Sequence, residues 1–134
     1  MTHLRRCGLA LASIALISTA YVADLRPAHA QTQLEMNEQS RKEFDKADRQ
    51  LNIVYKQILS KFDPKNEDEL KTRKKIIVAE KTWIAYRDAQ AEMDASVTAE
   101  GGSMYPQILY GTMATLTEER VKRLKDQIKD MNSR

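Results

Sequence analysis

The chain has 134 residues, with 22 basic and 19 acidic side chains and a formal net charge of +3 at pH 7. Its one cysteine and two histidines all lie within the first 30 residues, so residues 31–134 contain neither thiol nor imidazole. A cysteine nucleophile, a histidine base, a disulfide and a zinc or copper site of the usual ligands are therefore excluded from that part, and its 19 basic against 18 acidic side chains give no sign of nucleic-acid binding.

The first 30 residues have the pattern of a secretory signal peptide. Arg5 and Arg6 supply a positive start, an apolar and small-residue run follows from Cys7 to Ala23, and Ala28-His29-Ala30 is an A-x-A cleavage site. A retained membrane anchor is disfavoured, because the run is short and weakly hydrophobic. We expect cleavage of residues 1–30, a single mature domain of residues 31–134, no membrane span after cleavage, and periplasmic or secreted localisation.

Two long helices are predicted in the first part of the mature domain. The first runs from about Leu34 to Lys61, because apolar residues recur there at spacings of three and four. Its stripe consists of Phe44, Ala47, Leu51, Val54 and Ile58. After a turn at residues 63–66, the second helix runs from about Glu67 to Ala99, with either Trp83 or Ile84 on its apolar side.

The third helical region is predicted to be broken. Ser103 is a candidate N-cap ahead of Pro106, which suits a first helical turn. Gly111 weakens the helix beyond that turn, and Thr115 or Thr117 is expected to cap a restart. The restarted helix contains the regular stripe Val121, Leu124, Ile128 and Met131. The predicted fold is all-α, an up-down bundle of two long helices and a broken third, without strands or a disulfide.

Four short motifs stand in a fixed order along the mature domain. They are Leu51-Asn52-x-x-Tyr55, Trp83-Ile84-Ala85-Tyr86-Arg87-Asp88, Gly101-Gly102-Ser103 and Leu116-Thr117-x-x-Arg120, with Glu35-Met36-Asn37 and Ala47-Asp48 ahead of them. In that order and spacing they resemble the LprI-type, lysozyme-inhibitor-like domain of small secreted bacterial proteins, over about residues 33–124. The resemblance implies a helical periplasmic or secreted domain. Its name-giving member is associated with inhibition of lysozyme, and fold carries over better than function.

The chain departs from the family pattern at its cysteines. Members commonly have cysteines where this chain has Gln39, Ala91 and Thr112, and the last two positions often occur as a pair. Without that pair the chain lacks a disulfide that would typically contribute about 2–5 kcal/mol to the free energy of unfolding. The core must then compensate, and whether inhibition survives this loss is left open.

Trp83 and Arg87 are four residues apart and share one helix face. They could form a recognition pair, since both residue types are enriched at binding hot spots. We favour the alternative, in which Trp83 is a core anchor and Arg87 centres a buried ion network with Asp48, Glu118 or Glu119. Arg120 is expected to pair with Asp48 or Asp88. The predicted polar network consists of Asp48, Asn52, Arg87, Asp88, Thr117 and Arg120.

The loop between the second and third helices is a candidate binding element. It contains the backbone donors of Gly101, Gly102 and Ser103 and the ring of Tyr105. Surface loops with such groups commonly bind partners. The alternative is a helix stop followed by a cap, which needs the same residue types. The sequence leaves both interpretations open and places these residues with Trp83 and Arg87 as candidate binding residues.

These features indicate an exported binding protein without enzymatic activity, cofactor or metal, whose partner is another protein. Carboxylates such as Asp88 and Glu92 share a helix face, but nothing indicates a deep pocket around them. The leading hypothesis is an inhibitor of lysozyme or a related cell-wall hydrolase, in which a cation such as Arg87 is inserted into the cleft. The alternative is an envelope structural or adaptor protein without inhibitory activity, whose Val121–Met131 stripe packs against a partner or a second copy.

Overall fold

Three α-helices account for almost all of the residues that the structure describes. A computed structural model describes residues 25–133, with side chains from residue 32 onward. The helices are α1 (Leu25–Leu59), α2 (Glu67–Ala99) and α3 (Tyr105–Asn132), and residues 25–133 contain no strand. The all-α prediction is therefore confirmed, while residues 1–24 of the predicted signal peptide lie outside the described part.

The start of α1 differs from the prediction. The helix begins at Leu25, nine residues before Leu34, so its first turns overlap the end of the predicted signal peptide. Pro27 falls in the first helical turn, where a missing N–H costs no hydrogen bond. No proline or glycine follows before Leu59, so nothing in the local sequence interrupts the helix. Cleavage at residue 30 stays a prediction.

The turn between α1 and α2 is fixed by side-chain caps. Asn66 caps α2, because its side-chain oxygen accepts hydrogen bonds from the backbone N–H groups of Asp68 (3.1 Å) and Glu69 (3.2 Å). The Glu69 carboxylate in turn accepts from the backbone N–H of Asp63 at 2.6 Å. Arg73 donates to the carbonyl of Leu59 at 2.6 Å, which ties α2 to the last turn of α1.

Gly101 ends α2 as expected from the paired glycines. Its φ of +70° is the left-handed conformation that favours glycine past a helix C-terminus. The backbone N–H of Gly102 then donates to the carbonyl of Ala99 at 2.8 Å. The chain reverses within residues 100–104 and enters α3 at Tyr105, with Met104 rather than Ser103 at the cap position and Pro106 in the first turn.

The prediction of a broken third helix is wrong. Helix α3 is continuous through Gly111 and through both predicted caps. The hydroxyl of Thr115 donates to the carbonyl of Gly111 at 3.0 Å, and that of Thr117 donates to the carbonyl of Met113 at 2.6 Å. Each threonine thus bonds to the preceding turn of the same helix instead of capping a new one. The local sequence around Gly111 therefore does not decide whether the helix continues. Packing against two helices stabilises α3 across its glycine.

The apolar core lies where α3 packs between α1 and α2. Its buried members come from the predicted stripes of α1 and α3, namely Leu51, Val54, Ile58, Val121 and Leu124. Trp83 and Ile76 of α2 pack against this cluster, as do Ile128 and Met131. The Val121–Met131 stripe therefore lies against the protein's own core and is not a free surface for a partner, while the adaptor hypothesis itself stays a prediction.

The inward face of α2 is unusual, because two of its four buried residues are charged. They are Glu80 and Arg87, beside the fully buried Ala91 and Ala95. Burying charges is costly unless they are paired. Within residues 25–133, none of the three helices has an apolar stretch of the length that a bilayer crossing would need.

Candidate functional site

Arg87 lies at the centre of the bundle, between two aromatic rings and two carboxylates. Its guanidinium carbon is 5.0 Å from the centroid of the Phe44 ring and 5.6 Å from that of the Trp83 ring. It donates to Asp88 at 2.8 Å and to Asp48 at 3.2 Å. Only 5% of Arg87 is exposed, so the charge is satisfied inside the protein and is not presented to a partner.

The Arg87 contacts connect all three helices. Asp48 belongs to α1, Arg87 to α2 and Thr117 to α3, and the Arg87 guanidinium also lies 3.4 Å from the Thr117 hydroxyl. Asn52 extends the network by donating to the Asp48 carboxylate at 3.0 Å. These residues therefore fix the relative register of the helices.

Arg120 is bound by Glu80 and not by Asp48 or Asp88. Its Nε and Nη2 atoms donate to Oε2 of Glu80 at 3.1 and 2.7 Å. Its guanidinium carbon lies 5.4 Å from the centroid of the Trp83 ring. Trp83 therefore contacts two guanidinium groups, one from its own helix and one from α3. Glu118 and Glu119, the other carboxylates expected near Arg87, are exposed.

Glu80 is a site residue that the sequence reasoning missed. Only 4% of it is exposed, and its Oε1 atom is buried without a hydrogen-bond partner among the described residues. Burial raises the pKa of Tyr55, and the nearby charge of Glu80 raises it further, while Arg73 opposes the shift. Glu80 lies three residues before Trp83 and seven before Arg87, so helical spacing was the signal that could have placed it on the same face.

A second feature lies at the end of the bundle, where the loop between α2 and α3 meets the first part of α1. Asn37 donates to the carbonyl of Ser103 at 3.0 Å, which joins two of the sequence motifs. Gln33 donates to the side-chain oxygens of Asn37 (2.9 Å) and Gln107 (3.0 Å). The loop is thus held to α1 by one hydrogen bond, and Gln33 joins α1 to the start of α3 beside it. We name residues 32–37 and 101–106 together the loop-end surface.

The loop-end surface is concave and apolar. It contains a cavity of about 640 Å³ lined by Thr32, Gln33, Leu34, Met36, Asn37, Gly102, Ser103 and Pro106. Leu34 is 66% exposed and Met104 is 49% exposed, and Met36 is exposed beside them. Leu34 and Met36 line the cavity itself, and Met104 follows the lining residue Ser103 in the chain. Exposed apolar side chains at such a concave place are typical of interaction surfaces.

Tyr105 is oriented by α2. Its hydroxyl donates to a carboxylate oxygen of Glu92 at 2.5 Å, and this bond raises the pKa of the Tyr105 hydroxyl. Tyr105 is half-buried, and its bond to Glu92 links the start of α3 to α2. Of the predicted binding residues, the structure brings Gly101, Gly102, Ser103 and Tyr105 together at the loop end. Trp83 and Arg87 lie apart from them in the polar core.

Comparison with known proteins identifies the family. The family model described as "Lysozyme inhibitor LprI" matches residues 25–124, which is most of the chain. The chain belongs to the LprI family. A curated relative of this LprI chain is an uncharacterised protein of Rhizobium meliloti, 31% identical over 72% of this chain and 74% of the relative. No solved structure matches it. The LprI match confirms the resemblance seen in the motifs, and it begins earlier than residue 33, near the start of α1.

Proposed function

We propose that this LprI-family chain is an exported protein inhibitor of a lysozyme-type cell-wall hydrolase. The family match over residues 25–124 is the observation that supports this function. The loop-end surface is the binding site that we assign to it. Leu34, Met36 and Met104 offer apolar contact area there, and the backbone of Gly101 and Gly102 allows close approach by a partner.

This proposal replaces the insertion of Arg87 into a hydrolase cleft. Arg87 is paired with two aspartates and covered by two rings, so moving it into a partner would leave Asp48 without its cation. The side chains of Asp48 and Asp88 are 39% and 49% exposed, so water screens part of that loss, but Arg87 itself would give up both charge-assisted hydrogen bonds and both ring contacts. We therefore assign Trp83 and Arg87 to the support of the bundle and the recognition role to the loop end.

The mechanism proposed for this surface is occlusion of the hydrolase cleft. Leu34 and Met104 would fill space that the hydrolase otherwise gives to its polymeric substrate. The loop is preorganised for this by the Asn37–Ser103 hydrogen bond and by Tyr105, so little conformational entropy is lost on binding. Inhibition of this kind is competitive with the cell-wall substrate.

The test is turnover of a cell-wall suspension by lysozyme, with and without stoichiometric protein purified from cells that express the full chain. We expect slower turnover at micromolar protein, relieved by more substrate. The substitutions L34D and M104D should each weaken inhibition at least about tenfold, since a charge placed in an apolar contact is costly. The matched control is I53D, at an exposed apolar residue of α1 outside the loop end. Equal inhibition by all variants, or none by the wild type, would refute the proposal.

A further inference from the structure

Helix α2 has apolar residues on two opposite faces. One face packs inward through Ala91 and Ala95, which are fully buried. At 100° per residue, a second row lies on the opposite side of the helix. We name it the outer α2 stripe, and its members are Val78, Ala85, Tyr86, Ala89, Met93 and Val97. All six are exposed, from Tyr86 and Met93 at about half to Val97 at 83%.

This stripe is longer and more regular than isolated surface apolar residues. From Val78 to Val97 it extends along about 28 Å of helix. A surface helix normally turns a polar face to water. The row advances by three or four residues at each step when the exposed Thr82 is counted between Val78 and Ala85. An exposed row of this spacing is the pattern of a helix that packs against another helix. Packing within residues 25–133 leaves this row uncovered.

From Lys71 to the end of α2, the exposed charges beside the stripe are divided by sign, while the exposed acids Glu67 and Asp68 of the first turn precede this length. The exposed lysines of α2 lie in its first half, at Lys71, Lys74, Lys75 and Lys81. The exposed acids of its second half are Asp88, Glu92 and Glu100 at its end. A second α2 helix running antiparallel would set the lysine half of each copy against the acidic half of the other.

We propose that the outer α2 stripe is a homodimer interface, in which α2 of a second copy packs antiparallel to α2 of the first. With the two-fold axis near Ala85 and Tyr86, Val78 of each copy lies opposite Met93 of the other, and Lys71 lies opposite Glu100. Lys81 and Glu92 occupy the same flank of the stripe, so the axis brings Lys81 of one copy towards Glu92 of the other. The two loop-end surfaces then lie at opposite ends of the dimer, and both remain free.

The first test is sedimentation velocity on the protein purified from cells that express the full chain. We expect the wild type to be a dimer. V78D and M93D should each raise the dissociation constant of the dimer at least about tenfold. The matched control I53D replaces an equally exposed apolar residue of α1 and should leave the dimer intact. Circular dichroism checks that each variant stays helical. A monomeric wild type, or a dimer that tolerates M93D, would overturn the proposal.

The second test addresses the antiparallel arrangement through charge reversal. In a K81E homodimer, two acids meet at both contacts between residues 81 and 92. In an E92K homodimer, two lysines meet there. Each variant alone should therefore dimerise more weakly. An equimolar mixture of K81E and E92K restores both opposite-charge contacts and should form a mixed dimer as tight as the wild type in low salt. A mixture no tighter than either variant alone would refute the antiparallel arrangement.

Discussion

At the scale of single residues, Trp83 and its two arginines explain why α2 can bury charge. Arg87 and Arg120 lie 5.6 and 5.4 Å from the Trp83 ring, and each is neutralised by a carboxylate. The sequence predicted the Trp83–Arg87 pair because both residues belong to one helix with a fixed spacing. It did not predict the Arg120–Glu80 pair, because an ion pair between helices depends on their rotation and register.

The Glu80–Arg120 pair should behave as a buried ion pair. E80A leaves the guanidinium of Arg120, whose side chain is 15% exposed, without its acceptor. We expect the free energy of unfolding to fall by about 3–5 kcal/mol, as measured by urea titration. The double variant E80L/R120M should recover much of this loss, because it removes both charges and fills the space with apolar groups. The single variants E80L and R120M complete the comparison. If the double variant loses as much free energy of unfolding as these two single variants together, the pair is not coupled.

At the scale of elements, the glycines led to one correct and one wrong prediction of where a helix ends. Gly101 and Gly102 correctly marked the end of α2, because a positive φ needs glycine. Gly111 and the threonines after it predicted a break that α3 does not have. The helix ends and the apolar stripes could be predicted, since they depend on local spacing. The continuity of α3 could not, because it comes from packing against α1 and α2.

These two glycines predict opposite effects of the same substitution. G111A should stabilise the protein by about 0.5–1 kcal/mol, because a Cβ there meets no atom within 4 Å and alanine favours a helix interior. G101A should destabilise it by about 1 kcal/mol, because its φ of +70° is strained for any residue with a Cβ. Thermal unfolding of both variants beside the wild type measures the difference. A destabilising G111A would contradict the continuous α3.

At the scale of the whole molecule, the absence of histidine from residues 31–134 sets the dependence of stability on pH. With no imidazole to titrate, the free energy of unfolding of a chain that consists of residues 31–134 should change little between about pH 6 and pH 8. A steep change in that interval would show that other groups titrate there. The prediction is checked by urea titration across the interval.

Alkaline pH should weaken the fold through Tyr55 and Tyr105. Burial raises the pKa of Tyr55, and the hydrogen bond to Glu92 raises that of Tyr105. The folded state thus holds these protons more tightly than the unfolded state, whose tyrosines have a pKa of about 10. Their contribution is complete below about pH 10 and is lost as the pH rises through the folded-state values. Y105F should show a smaller alkaline loss than the wild type, and an identical loss would contradict the Glu92 bond.

Only part of the loop-end surface could be predicted from the sequence. Gly101, Gly102, Ser103 and Tyr105 were recognised as a loop with binding chemistry. The sequence did not indicate that Leu34, Met36 and Asn37 complete the same surface, because they lie more than 60 positions away from the loop along the chain. Only the packing of α1 on α3 places them beside the loop.

Amide hydrogen exchange of the protein, free and bound to lysozyme, tests this assignment most directly. We expect slower exchange on binding at residues 32–37 and 101–105, and no change around Trp83 and Arg87. Protection confined to other residues, or a complex in which no part of the loop-end surface is protected, would contradict it.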